Sequence, residues 1–197
     1  MRKSFFPILL IVALAAPPVL CAQASQSAYH WSVPNFALYG GYSYVFRPYD
    51  RNSTNVFSGG MQGWDTALTV PLPFVGNWLD AKGDVSGFYR NDFPDFHPRD
   101  YFFLFGPQVQ VHLGGSTLFA DGLVGSSHLN SNAIPDLKSN NTLAVSAGAG
   151  IDIGFTRDFA WRLKGDFYNT RYASTNNNVH EIVNSNWRLA TGPVLRW

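Results

Sequence analysis

The chain has 197 residues, a formal net charge of +1, 14% charged residues and 16% aromatics. Soluble domains average about 25% charged residues, so few charges are available to cover this surface, and the near-zero net charge excludes an electrostatic nucleic-acid partner. Glu181 is the only Glu, and a chain poor in Glu but rich in Gly, Thr and aromatics favours strands over long helices.

Arg2 and Lys3 precede an apolar run from Phe5 to Leu20, followed by Ala22-Gln23-Ala24. A charged start, an apolar middle and an A-x-A site describe an export signal, so residues 1–24 are expected to be removed and 25–34 to form a short leader. Residues 35–197 are then expected to form one domain. Cys21 suggests lipidation as an alternative, but Leu20 before it is not the small residue such a site needs. Cleavage after Ala24 leaves no cysteine and hence no disulfide. Beyond the signal no apolar run approaches the ~18 residues of a membrane helix, so a membrane-spanning form must be a closed barrel.

From residue 36 the chain alternates with the period-two pattern of strands. Phe36, Leu38, Tyr42, Tyr44 and Phe46 share one face, and Ala37, Tyr39, Gly41, Ser43 and Val45 the other. After a polar loop over 47–60, Trp64, Thr66, Leu68 and Val70 alternate with Asp65, Ala67 and Thr69. A tight connection at 71–76 leads to Leu79, Ala81, Val85 and Tyr89, opposite Asp80, Lys82, Asp84 and Ser86. A second long loop, 91–99, precedes Phe103, Phe105, Val109, Val111 and Leu113, opposite Gly106, Gln108, Gln110 and His112. Gly114-Gly115 reads as a hairpin turn.

The stretch 117–127 sets Leu118, Ala120 and Val124 against Phe119, Asp121 and Leu123. A third loop covers 128–141. Then Val145, Ala147, Ala149, Ile151 and Ile153 alternate with Ala144, Ser146, Gly148, Gly150 and Asp152. Thr156-Arg157-Asp158 turns the chain into Trp161, Leu163 and Phe167, opposite Arg162, Lys164, Asp166 and Tyr168. A fourth loop, 171–185, leads to the closing strand. No repeat beyond the hairpin period is visible.

These segments predict an all-β chain: an eight-stranded antiparallel up-and-down transmembrane β-barrel. Long connections follow the odd strands and short ones the even strands, the layout of outer-membrane barrels with short periplasmic turns. An even number of strands puts both termini in the periplasm. The closing strand carries Trp187, Leu189, Thr191, Pro193, Leu195 and Trp197 on one face, with Arg188, Ala190, Gly192, Val194 and Arg196 on the other. At ~3.4 Å per residue and a tilt of roughly 45°, the two Trp stand about 24 Å apart in height, near the ~25 Å apolar band of such barrels. Trp64 and Trp187 are expected at the outer interface, Trp78, Trp161 and Trp197 at the periplasmic one, and Trp31 just before the first strand, because the amphipathic ring suits the headgroup level.

Leu104-Phe105-Gly106-Pro107-Gln108, Gly148-Ala149-Gly150-Ile151-Asp152-Ile153, Trp161-Arg162-Leu163-Lys164-Gly165-Asp166-Phe167-Tyr168 and Gly192-Pro193-Val194-Leu195-Arg196-Trp197 together resemble the outer-membrane-protein β-barrel family, OmpA-like and opacity-type barrels included. The resemblance covers the whole mature chain and implies an eight-stranded barrel over 35–197 in the cell outer membrane, of a class often labelled porin-like. It implies that Trp187, Leu189, Leu195 and Trp197 form a C-terminal signal read by the outer-membrane barrel assembly machinery. It also implies contact with outer-membrane lipid and lipopolysaccharide. OmpA-type proteins carry a periplasmic peptidoglycan-binding domain after the barrel, and no such segment, hence no cell-wall tether, is expected here.

Eight strands enclose a lumen that side chains fill, so free diffusion through it is not expected. The inward set includes Asp65, Asp80, Lys82, Asp84, Asp121, Asp152, Arg162, Lys164, Asp166, Arg188 and Arg196. Buried charges must pair, and these are expected to form a salt-bridge network; Asp152 and Arg162 should face each other across the Arg157 turn. The expected role is a structural, surface-exposed barrel whose Asn-, Ser- and Tyr-rich loops meet an external partner. A narrow gated channel is the alternative, and a lipid A-modifying enzyme a second one. For the enzyme, His128 and Ser131 lie on opposite faces of a strand and lack an orienting acid, so no enzyme is expected. His97 with Asp92, Asp95 and Asp100 has no metal-ligand spacing. No cofactor and no metal are called for.

Overall fold

The computed structural model describes residues 36–46, 60–72, 74, 78–89, 99–130, 141–173 and 181–197. The export signal, the leader, Trp31 and most of the four long loops lie outside these. The described residues form β1 (Ala37–Phe46), β2 (Met61–Pro71), β3 (Leu79–Tyr89), β4 (Arg99–Leu113), β5 (Ser116–Asn130), β6 (Asn141–Gly154), β7 (Phe159–Ala173) and β8 (Glu181–Arg196). Each strand pairs antiparallel with the next, and β8 pairs with β1, closing the barrel. Closure leaves no strand edge, which is the condition for a sheet to exist in hydrocarbon.

The in/out register follows the alternation in the sequence. Leu38, Leu68, Phe103, Phe105, Val109, Val111, Val124, Val145, Leu163, Leu189 and Leu195 stand exposed on the outer wall. The interior is the reverse: buried polar and charged residues outnumber buried apolar ones. A soluble domain buries its apolar side chains and exposes its charges; this barrel does the opposite. Aromatics mark both rims. Trp64 Nε1 donates to the Tyr89 hydroxyl at 2.7 Å near the long-loop end, and Trp161 Nε1 donates to Thr191 Oγ1 at 2.8 Å near the short-turn end.

Five strands are longer than their composition suggests. β4 already begins at Arg99, β5 continues to Asn130, β6 begins at Asn141, β7 continues to Ala173, and β8 begins at Glu181. The pairs Arg99↔Asn130, His128↔Asn141 and Ala173↔Glu181 are on the ladder. Ser, Asn and Thr here read as loop by composition. A hairpin that rises above the apolar band needs no apolar face, so polar residues continue the strand.

The short turns need little chain. Gly114, with φ +62°, sits in the left-handed region that favours glycine and joins β4 to β5 through Gly115. At the closing seam Phe36 and Trp197 exchange backbone hydrogen bonds of 3.1 and 3.2 Å, and their rings meet edge-on at 4.6 Å.

A four-strand repeat also emerges, which the hairpin period hides in the sequence. β3 carries Lys82-Gly83-Asp84 and β7 carries Lys164-Gly165-Asp166. The strand after each carries Gly-Pro: Gly106-Pro107 in β4 and Gly192-Pro193 in β8. The β4–β5 ladder breaks between Phe105↔Val124 and Gln108↔Asp121, and the β8–β1 ladder breaks between Thr191↔Tyr42 and Val194↔Tyr39. Register is the same on both sides of each break. Proline has no N–H to give to the ladder, so pairing skips that rung and resumes.

Candidate functional site

The lumen is the only feature of the described residues that gathers chemistry. Its side chains stack in layers from the short-turn end to the long-loop end.

At the short-turn end Asp152 on β6 and Arg162 on β7 are direct ladder partners. Arg162 Nε donates to Asp152 Oδ1 at 2.7 Å and Nη2 to Oδ2 at 2.9 Å. Arg196 Nη2 reaches the same carboxylate at 3.2 Å from β8. The Arg162 guanidinium also lies over the rings of Phe119 at 4.5 Å and Tyr39 at 5.1 Å. Two guanidiniums therefore share one carboxylate, and the rings take part of the excess positive charge. Asp80, Gln108 and His112 complete this mouth around a cavity of about 350 Å³, counting space open to solvent.

The next layer holds the densest charge. Arg188 Nε donates to Asp166 at 2.8 Å, Nη2 lies 3.2 Å from Asp84 and Nη1 3.3 Å from Asp65. Lys164 Nζ lies 2.9 Å from Asp166, 3.1 Å from Asp84 and 3.8 Å from Asp121. Lys82 Nζ donates to Asp121 at 2.6 Å. The two Lys-Gly-Asp segments meet here: Lys164 of one holds Asp84 of the other across the lumen. All of these side chains are buried, where an ion pair keeps its place only if the partner charges stay in reach.

Above the charges lies an apolar layer. Val45, Met61, Phe88, Phe102, Leu104, Leu123, Ala144 and Tyr168 form one buried cluster. The ring centroids of Phe88 and Phe102 are 5.7 Å apart, and those of Phe102 and Tyr168 are 5.0 Å apart. Tyr168 faces the charges too, with the Arg188 guanidinium 4.6 Å from its ring centroid. Nearest the long-loop end, Ser127 Oγ donates to Asp100 Oδ1 at 2.7 Å.

Of the charged residues expected inside, ten are buried and Arg196 is half-buried at the mouth, and ion pairs join most of them into the two clusters above. Asp80 stands somewhat apart, at the mouth, with no ion pair to its carboxylate among the described residues. The apolar layer is what the sequence reading missed. Its signal was present: continuing the even-numbered alternation past Ser86 reaches Phe88, and running it back from Gly106 reaches Leu104 and Phe102. Asp100 is corrected as well. It belongs to β4 and is buried with Ser127, while Asp92, Asp95 and His97 lie outside the described residues. His128 sits on β5 with Nδ1 2.6 Å from Asn141 Oδ1; Ser131 lies outside the described residues. On the outer wall Trp187, Leu189, Leu195 and Trp197 are all exposed, with the Trp187 ring 5.2 Å from that of Phe167.

No family model and no curated protein matches the chain. Solved structures do. The crystal structure of Neisserial surface protein A superimposes with a TM-score of 0.61 at 10% identity, over 83% of this chain and 97% of that one. The outer membrane protein OprG from Pseudomonas aeruginosa gives a TM-score of 0.60 at 8% identity, over 83% of this chain and 96% of that one. At these identities the likeness concerns the fold, which is that of the small outer-membrane β-barrels.

Proposed function

We propose that the chain is an integral outer-membrane protein: a filled, eight-stranded membrane-spanning barrel, not an enzyme, whose work is done by the loops at its outer rim. The inversion of its two surfaces carries this reading. An apolar wall ringed by aromatics surrounds an interior of paired charges, an arrangement that is stable when hydrocarbon lies outside. In this orientation the short turns and both ends of the chain face the periplasm, with 1–24 serving as export signal. Lipopolysaccharide and the outer leaflet surround the long-loop rim. The exported chain reaches the membrane through the barrel assembly machinery, with Trp187, Leu189, Leu195 and Trp197 as the face it reads.

The loops over 47–59, 90–98, 131–140 and 174–180 are rich in Asn and Ser, carry the rings of Tyr49, Phe57, Phe93 and Phe96, and hold Lys/Arg and Asp in equal number, so their net charge is zero. That composition suits an external partner held by hydrogen bonds and rings rather than by net charge. A cysteine placed at Ser58 should react with an impermeant maleimide on intact cells, and one placed at Arg157 should react only after the outer membrane is opened. Equal labelling of both, or recovery of the protein in a soluble fraction, overturns the reading.

A narrow gated channel has one observation in its favour, the charged lining from Arg196 to Asp84, and the apolar layer against it. Among the described residues nothing favours a lipid A-modifying enzyme; His128 is engaged by Asn141.

A further inference from the structure

We infer that the lumen is a one-ended tube, open to water and protons from the short-turn end as far as Tyr168, and that the apolar layer rather than the ion-pair network is what seals it. The inference rests on the reading of the chain as a membrane-spanning barrel and concerns what passes within it.

Several buried polar atoms find no hydrogen-bond partner among the described residues. Asp80 Oδ1, Gln108 Oε1 and Arg162 Nη1 lie at the mouth, around the same cavity. Deeper in are Tyr39 OH, Asp65 Oδ1, Ser43 Oγ, Asp121 Oδ1, Ser86 Oγ and Ser146 Oγ. The last is Tyr168 OH. Groups of this kind are satisfied by water where the protein offers nothing.

On β1 to β6 the orphaned atom lies on the short-turn side of that strand's contribution to the apolar cluster: Ser43 against Val45, Asp65 against Met61, Ser86 against Phe88. The same holds for Gln108 against Leu104, Asp121 against Leu123 and Ser146 against Ala144. The unsatisfied groups thus run from the mouth up to the apolar layer and stop beneath it.

Phe88, Phe102 and Tyr168 touch ring to ring from β3 through β4 to β7, and Val45, Met61, Leu104, Leu123 and Ala144 continue the layer on β1, β2, β4, β5 and β6. Rings and methyl groups offer water no partner, and a constriction so lined blocks a path by excluding water. Ion pairs alone would be a leaky seal, since carboxylates and ammonium groups are themselves good partners for water.

The test uses the full mature chain refolded into liposomes loaded with a pH-sensitive dye, with heat-shifted gel migration to show that every variant has folded and inserted. Wild type should pass protons no faster than empty liposomes. Phe102→Ser combined with Leu123→Ser should raise the flux at least about tenfold by rewetting the layer, while Lys82→Met should leave it at the wild-type level. In wild-type protein in micelles, the side-chain N–H protons of Arg162 and Lys164 should exchange with water far faster than the backbone amides of β7. A folded double variant that stays silent, a Lys82→Met barrel that leaks, or guanidinium protons as protected as the amides would each overturn the inference. Failure to insert would instead count against the membrane-spanning reading.

Discussion

The ring of Phe102 on β4 meets the ring of Tyr168 on β7 across the lumen, with centroids 5.0 Å apart. Tyr168 in turn stacks on Arg188, which holds Asp166, Asp84 and Asp65 from three other strands. A run of side-chain contacts therefore ties β2, β3, β4, β7 and β8 together through the middle of the barrel. The wall is held by backbone ladders and the interior by these cross-links, so the barrel should unfold as one unit.

That unity has a simple readout. Unboiled protein should migrate differently from boiled protein in SDS gels, because a closed ladder has no edge at which detergent can begin to peel it. Identical migration, together with a fraction that stays soluble without detergent, would contradict the barrel.

Arg188 is the most heavily engaged cation. Arg188→Met keeps the length of the side chain but leaves Asp65, Asp84 and Asp166 facing one another with Lys164 alone among them. Removing one partner from a buried charge group costs about 3–5 kcal/mol. The urea midpoint in detergent micelles should fall accordingly. Adding Asp84→Asn to Arg188→Met should recover part of the loss, since it removes one of the stranded charges. A double variant no better than the single would show that Arg188 acts through packing against Tyr168 and not through charge.

The fold was legible because period-two alternation survives along every strand, and one glance at Asp65, Lys82, Asp152 and Arg162 locates the inside. Partner choice was legible only where strands are adjacent, as for Asp152 and Arg162. The pairing of Lys164 with Asp84 crosses the lumen between strands four apart, and no local pattern encodes it; the repeated Lys-Gly-Asp was its one sequence trace. The apolar layer was obscured because Phe88 and Phe102 flank a polar loop, where aromatics read as rim residues.

The register can be tested from the outside. Leu163 and Val145 stand exposed on the outer wall within the spans of β7 and β6, whereas Leu113 stands beside the Gly114-Gly115 turn. An arginine at mid-depth costs about 2–4 kcal/mol and one near the interface about 0–1. Leu163→Arg and Val145→Arg should therefore lower the yield of heat-modifiable barrel much more than Leu113→Arg. Equal effects at all three would mean that the apolar band lies elsewhere on the wall.

Two glycines should behave in opposite ways. A Cβ on Gly148 would land on Asp166 Oδ1 and come within 3.0 Å of Asp121 Oδ1, so Gly148→Ala pushes apart the carboxylates that Lys164 gathers. Overpacking of this kind costs about 1–3 kcal/mol. A Cβ on Gly83 meets nothing within 4 Å, and Gly83→Ala should be neutral or stabilise by up to about 1 kcal/mol. Comparing urea midpoints of the two variants checks this directly; a destabilised Gly83→Ala would indicate a neighbour on the outer wall.

Trp197 bears on both folding and assembly, and the two can be separated. The β8–β1 seam is split at Pro193, and the piece on the short-turn side consists of Ala37↔Arg196, Leu38↔Leu195 and Tyr39↔Val194 plus the bonds between Phe36 and Trp197. So short a piece depends on its end. The Phe36–Trp197 ring pair adds about 0.5–1.5 kcal/mol beyond the area it buries. Trp197→Ala should therefore lower the urea midpoint of refolded barrel slightly, while Trp197→Phe keeps the ring pair and should be nearly silent. If Trp197 is also read by the assembly machinery, Trp197→Ala should lose far more in the cell than in the test tube: little heat-modifiable protein in outer membranes, and aggregated or degraded chain in the periplasm. Near-normal refolding with poor recovery from cells assigns Trp197 to recognition. Matching small losses in both assign it to the seam alone, and normal behaviour in both removes it from either role.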